Sequence, residues 1–152
     1  MKKILSFKQA TQISLFLFAL LILFHLSIVL GIVLFDFVPL DFLWGGRMET
    51  KGQLLDFEII SILIMALCFL IVLIKSEKLK LPGLMRAAGI AVWILFILFF
   101  LNTIGNIFAK TTFERFFIIP TGILAILCLR LALEKTNKND ISKSAYNTQY
   151  HQ

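Results

Sequence analysis

Charged residues are scarce in this chain. Asp, Glu, Lys and Arg make up 16% of its 152 residues, where soluble domains carry about 25%. Hydrophobic residues reach 59% and mean hydropathy is +0.92, which together exclude a soluble globular domain. Cysteine is confined to Cys68 and Cys128 with no Cys-x-x-C pair, which excludes the thiol-redox membrane enzymes that use one. Neither cysteine has a flanking charge to stabilise a thiolate, so both read as reduced, buried, small apolar residues. Histidine is limited to His25 and His151. A single histidine in an apolar run, with scattered carboxylates, lacks the paired spacing of a zinc or di-iron site on helices, so no metal and no cofactor is expected. A Gly-rich phosphate loop, Ser-x-x-Lys and Gly-x-Ser-x-Gly are also missing. The 15 Lys and Arg against 9 Asp and Glu collect in short segments between apolar runs, which argues against a nucleic-acid-binding face.

What is present is a series of long apolar runs. Gln9 to Phe35 is 27 residues without a charge, and about 20 suffice for a helix to cross the roughly 30 Å hydrocarbon core. This run is too long for a signal peptide and has no small-x-small cleavage site, so it reads as a retained span at about residues 13–35. Phe57 to Ile74 holds one charge, Glu58, in its first turn, and predicts a span over 57–74. Ala87 to Ala109 is uncharged and predicts a third. The fourth is shorter, because only Phe116 to Leu129 is free of charge. Thr111-Thr112-Phe113-Glu114 matches a capping box, which starts that helix near Thr112 and runs it to Leu133, with Arg130 snorkelling to the headgroups. Pro120 leaves the Phe116 carbonyl without its helical donor and predicts a kink. The expected fold is all-α, four transmembrane helices in an up-down bundle spanning residues 1–135.

Eleven Lys and Arg lie at the N-terminus, in the loop between the second and third runs, and after the fourth; four, Arg47, Lys51, Lys110 and Arg115, lie in the other two loops. The positive-inside rule then places both termini in the cytoplasm, in a bacterial inner membrane, and disfavours a dual-topology antiparallel dimer. Leu81-Pro82-Gly83 punctuates the inner hairpin. Residues 136–152 are polar and predict a disordered tail. The outer loop, 36–56, carries Phe37, Pro39, Phe42, Trp44, Gly45, Gly46 and Arg47, more aromatic residues than a solvated linker needs. Trp44 suits a headgroup anchor or a lid hinged at Gly45-Gly46, with Arg47 available to a lipid phosphate or a carboxylate.

Ionisable and amide groups inside a span are costly and usually face the interior. His25 lies slightly outside the midplane of the first span, on one stripe with Ser14 and Asp36, each 11 residues apart. Glu58 and Ser61 share a side of the second, and Asn102 and Asn106, at i and i+4, share a side of the third. Glu114 opens the fourth helix and Thr121 follows its proline. All fall in the outer half, so His25, Asp36, Trp44, Arg47, Glu58, Asn102, Asn106, Glu114 and Thr121 are the candidate ligand-binding residues. Interhelical hydrogen-bonding glue is the competing role for the same groups. Trp93, nine residues from Asn102, faces away from the asparagines, and Ser27-xxx-Gly31, Ala87-xxx-Ala91 and Gly105-xxx-Ala109 offer close-packing positions. The leading functional expectation is a non-enzymatic membrane protein that binds a lipid-like ligand or a membrane protein partner. The alternatives are an embedded acid/base enzyme, with His25 or Glu58 moving the proton and Asn102 and Asn106 holding an oxygen, or a parallel homo-oligomeric transporter.

Overall fold

The computed structural model describes residues 5–41 and 43–134. Within them the chain forms helices α1 (Phe7–Phe35), α2 (Lys51–Lys75), α3 (Met85–Ile107), α4 (Thr112–Phe116) and α5 (Ile118–Ala132), with single 3-10 turns at Trp44–Gly46 and Pro82–Leu84. Four segments, 7–35, 51–75, 82–107 and 112–132, are long and apolar enough to cross a membrane. Large apolar side chains such as Leu63, Leu101 and Phe116 point outward, the arrangement expected where the surrounding solvent is hydrocarbon. The tail expected to be disordered lies outside the described residues.

Two helices begin earlier than charge counting placed the spans, because caps, not hydropathy, set their starts. Ser6 and Gln9 form a reciprocal capping box at α1, and Thr50 and Gln53 form another at α2. The loop between them therefore shortens to residues 36–50. Its apolar side chains fold back on the helix ends: Leu43 is buried with Ile32 and Leu54, and Val38, Leu40 and Met48 pack around them.

The fourth segment is broken rather than kinked. Thr111 caps α4 by accepting from the Glu114 backbone N–H, but the box is not closed in the usual way, since the Thr111 hydroxyl donates to the Glu114 carboxylate. The chain then tightens at Phe117, whose N–H reaches Glu114 O at 2.9 Å, and restarts as α5. The Phe117 carbonyl accepts both the backbone N–H and, at 2.6 Å, the hydroxyl of Thr121.

α1 packs on α2 and α5, and α3 packs on α5 and α2. Their shared core joins Phe18, Val92, Leu95, Phe99, Leu124 and Leu131 with the two cysteines, which are buried and free. At the end that holds Leu5 and Glu134, Arg130 is 4% exposed. It does not snorkel: its Nε donates to Leu5 O at 2.9 Å and its guanidinium to Glu134 at 2.8 Å, tying the start of α1 to the end of α5. Lys75, counted from the sequence as a loop cation, is also buried and donates to Glu134 O. The Gly105 repeat is not a close contact, since a Cβ there would meet nothing within 4 Å; Gly122 makes the approach instead, against Thr103 at 3.6 Å.

Candidate functional site

Helical periodicity and the broken fourth segment bring polar side chains from α1, α2, α3, α4, α5 and the 36–50 loop to one cavity of about 180 Å3, partly open, at the end of the helices opposite Leu5 and Glu134. Seven of the nine sequence-derived candidates line it: His25, Trp44, Glu58, Asn102, Asn106, Glu114 and Thr121.

Glu58 is the centre of one wall. It is 1% exposed, and a carboxylate so placed costs several kcal/mol unless its oxygens are paired. One oxygen meets His25 Nδ1 at 2.6 Å and the other accepts from Trp44 Nε1 at 3.0 Å. With Nδ1 committed to Glu58, the second ring nitrogen of His25 has no protein partner among the described residues. The imidazole is held edge-on by Phe24, with ring centroids 5.4 Å apart. Ser61, one turn below Glu58 and lining the same cavity, returns its hydroxyl to Phe57 O at 2.8 Å.

Trp44 reaches Glu58 from the loop by way of an unusual backbone. Its φ is +54°, a genuine outlier for a bulky residue, with a strain of order 1–3 kcal/mol. Gly46, also left-handed at φ +66°, supports the reversal. The indole ring packs on Phe57 with centroids 5.3 Å apart, so its N–H is spent on a buried carboxylate rather than turned to headgroups.

On α3 and α5 a hydroxyl and amide cluster reaches the cavity through Asn106 and Thr121, with Thr103 behind them. Thr103 Oγ1 lies 3.0 Å from Thr121 Oγ1, and Asn106 Nδ2 lies 3.5 Å from the same oxygen, at the limit of a hydrogen bond. Asn102 stands at the exposed rim with its amide unpaired among the described residues. Phe24, Phe113 and Phe117 pack with centroids 5.5–6.3 Å apart, and Leu21, Leu43, Met65 and Phe99 complete the apolar lining.

Asp36 and Arg47 lie off the cavity. Asp36 is the left-handed cap of α1, and the turn of the backbone there takes it off the Ser14–His25 stripe into an exposed pair with Lys51. That hydrogen bond first, and the Lys51 charge second, hold the Asp36 carboxyl below its ordinary 3.8. Arg47 is exposed and closes the 3-10 turn with its backbone N–H. Ser14 is fully buried, its hydroxyl without a partner among the described residues, and does not line the cavity. Thr103 and the three phenylalanines were missed in the sequence. The i, i+4 spacing of Phe113 and Phe117 was the available signal for the aromatic wall.

Among the described residues no group of three or more His, Cys, Asp or Glu is placed to hold a metal ion. Comparison with protein families, curated proteins and solved structures finds no match to this chain.

Proposed function

We propose that this is an integral protein of a bacterial cytoplasmic membrane, with both termini inside, that binds a lipid-like ligand in a cavity opening toward the outer face. The orientation is supported by the partition of Lys and Arg, eleven against four, across the two sets of flanks. The observation that carries the ligand reading is the composition of the cavity. An aromatic and aliphatic lining faces a small set of converging polar groups, of which Asn102 and the second nitrogen of His25 have no protein partner among the described residues. That is the pattern of a site that holds an apolar body and orients one polar end. Glue between helices accounts for the Thr103–Thr121 contact, where the Thr121 oxygen accepts from Thr103 while its own proton goes to the Phe117 carbonyl; it does not account for the open volume.

The test is to purify the protein in native-lipid nanodiscs and compare co-purifying small molecules with those of a His25→Ala, Asn102→Ala double variant of equal thermal stability. A stoichiometric ligand lost in the variant supports the proposal, and the same bulk lipid in both samples contradicts it.

A second reading, an acid/base enzyme on a lipophilic substrate, is favoured by one contact, the 2.6 Å approach of His25 Nδ1 to Glu58. A carboxylate that orients an imidazole whose other nitrogen faces a cavity can move a proton. Once a ligand is identified, Glu58→Gln separates the readings: an enzyme loses turnover while keeping its fold.

A further inference from the structure

We infer that the ligand of this cavity is a lipophilic cation, an ammonium or quaternary ammonium group on an apolar body. The inference rests on the reading of the cavity as a ligand site and adds the sign of the charge.

The lining contains two carboxylates, Glu58 and Glu114, one imidazole, and no Lys or Arg. Of the flanking cations, Lys51 pairs with Asp36, Arg115 donates through its Nε to Ala109 O at 3.0 Å, and Arg47 and Lys110 are exposed and do not line the cavity. A lipid phosphate or carboxylate in the cavity would face like charge.

The two carboxylates are not equivalent. Glu58 has a donor on each oxygen. Glu114, half-buried, has the Thr111 hydroxyl on one oxygen at 3.0 Å, while the other has no hydrogen-bond partner and no ion pair among the described residues. Capping of α4 uses only the first of these oxygens. Phe113 and Phe117 of the same segment and Phe24 of α1 line the same cavity as Glu114, packed on one another within 6.3 Å. A carboxylate sharing a cavity with clustered aromatic rings is the combination that recognises an organic cation, the charge meeting the acid and the N-alkyl groups meeting the rings. A neutral ligand would use the rings and leave the Glu114 charge unmatched.

The experiment uses the full chain in neutral-phospholipid nanodiscs, with Trp93→Phe so that Trp44 alone reports, and empty nanodiscs subtracted. Three probes of one shape are titrated: phenylbutyltrimethylammonium, its neutral isostere with carbon in place of nitrogen, and the corresponding sulfonate. The ammonium is expected to bind about five-fold or more tightly than the isostere. Glu114→Gln, which keeps an acceptor for Thr111, is expected to erase that preference and leave the isostere unchanged. Phe113→Leu is expected to weaken the ammonium selectively and serves where Glu114→Gln fails to fold. Equal or tighter binding of the isostere or the sulfonate overturns the inference and leaves the ligand cavity standing, as does a preference that survives Glu114→Gln. Failure of all three probes to bind also overturns it, and the co-purification comparison then decides on the cavity separately.

Discussion

Glu58 carries a charge-capable group to a position 1% exposed, and its neighbours are arranged around that fact. His25 and Trp44 each supply a donor, and Trp44 adopts a left-handed backbone to do so. Glu58→Leu leaves both donors without their acceptor, each at about 1–3 kcal/mol. The expected result is a lower melting temperature together with a red shift of Trp44 emission as the loop releases, read by fluorescence against the Trp93→Phe background. An unchanged melting temperature and emission would mean that the triad does not hold the loop. Asp36 is a contrasting case, since its pairing with Lys51 is exposed and therefore weakly stabilising. A depressed carboxylate contributes its stability above its ordinary value and loses it as the pH falls through the lowered one. NMR titration is expected to place Asp36 below 3.8 and to return it to the ordinary range in Lys51→Ala. Of these residues the sequence showed His25, Glu58 and Trp44 as polar or amphipathic groups in expensive places, but not their mutual contact. Thirty-three residues separate His25 from Glu58, and no periodicity within one helix reports a bond between two.

At the scale of elements, hydropathy and capping carried different information. The apolar runs located the four long segments because a helix in hydrocarbon must be apolar over about 20 residues. The helices α1 and α2 start before those runs, because Ser6–Gln9 and Thr50–Gln53 cap polar first turns ahead of the apolar stretch. The break at Phe117 followed from Pro120, yet its form depended on Thr121 turning its hydroxyl back to the Phe117 carbonyl, a local i to i−4 bond that threonine permits without requiring. Arg130 was misread for a similar reason: its length permits snorkelling, but the Leu5 carbonyl and Glu134 offer it better partners. Arg130→Leu leaves the Leu5 carbonyl unpaired and is expected to cost about 1–3 kcal/mol. Hydrogen exchange checks this directly, with faster exchange expected at the first turn of α1 and little change at the cavity end. Uniform exchange across α1 would place the stabilising role of Arg130 elsewhere.

At the scale of the whole molecule, the claim is an oriented, four-span protein with one ligand cavity toward the outer face. Orientation is accessible to labelling in a Cys68→Ala, Cys128→Ala background. Gly83→Cys, where an added Cβ meets nothing within 4 Å, is expected to react with an impermeant maleimide only from the cytoplasmic side, and Glu49→Cys only from the outer side. The reverse pattern would invert the topology and put the cavity opening on the cytoplasmic face. The convergence of six segments on one volume was foreshadowed by the shared depth of their polar residues. The aromatic wall was only half visible, because the i, i+4 spacing pairs Phe113 with Phe117 while nothing among sixteen phenylalanines marks Phe24 of α1 as the third.

The cavity itself is most directly tested by native mass spectrometry of the protein released from native-lipid nanodiscs, comparing the wild type with Ser61→Phe. Ser61 is 7% exposed and lines the cavity one turn from Glu58, so a phenyl group there takes up cavity space while His25, Asn102 and Glu114 keep their side chains. The account predicts a discrete one-to-one adduct on the wild type that disappears from the variant while its melting temperature holds. An adduct carried equally by both proteins, or none on the wild type, would contradict it.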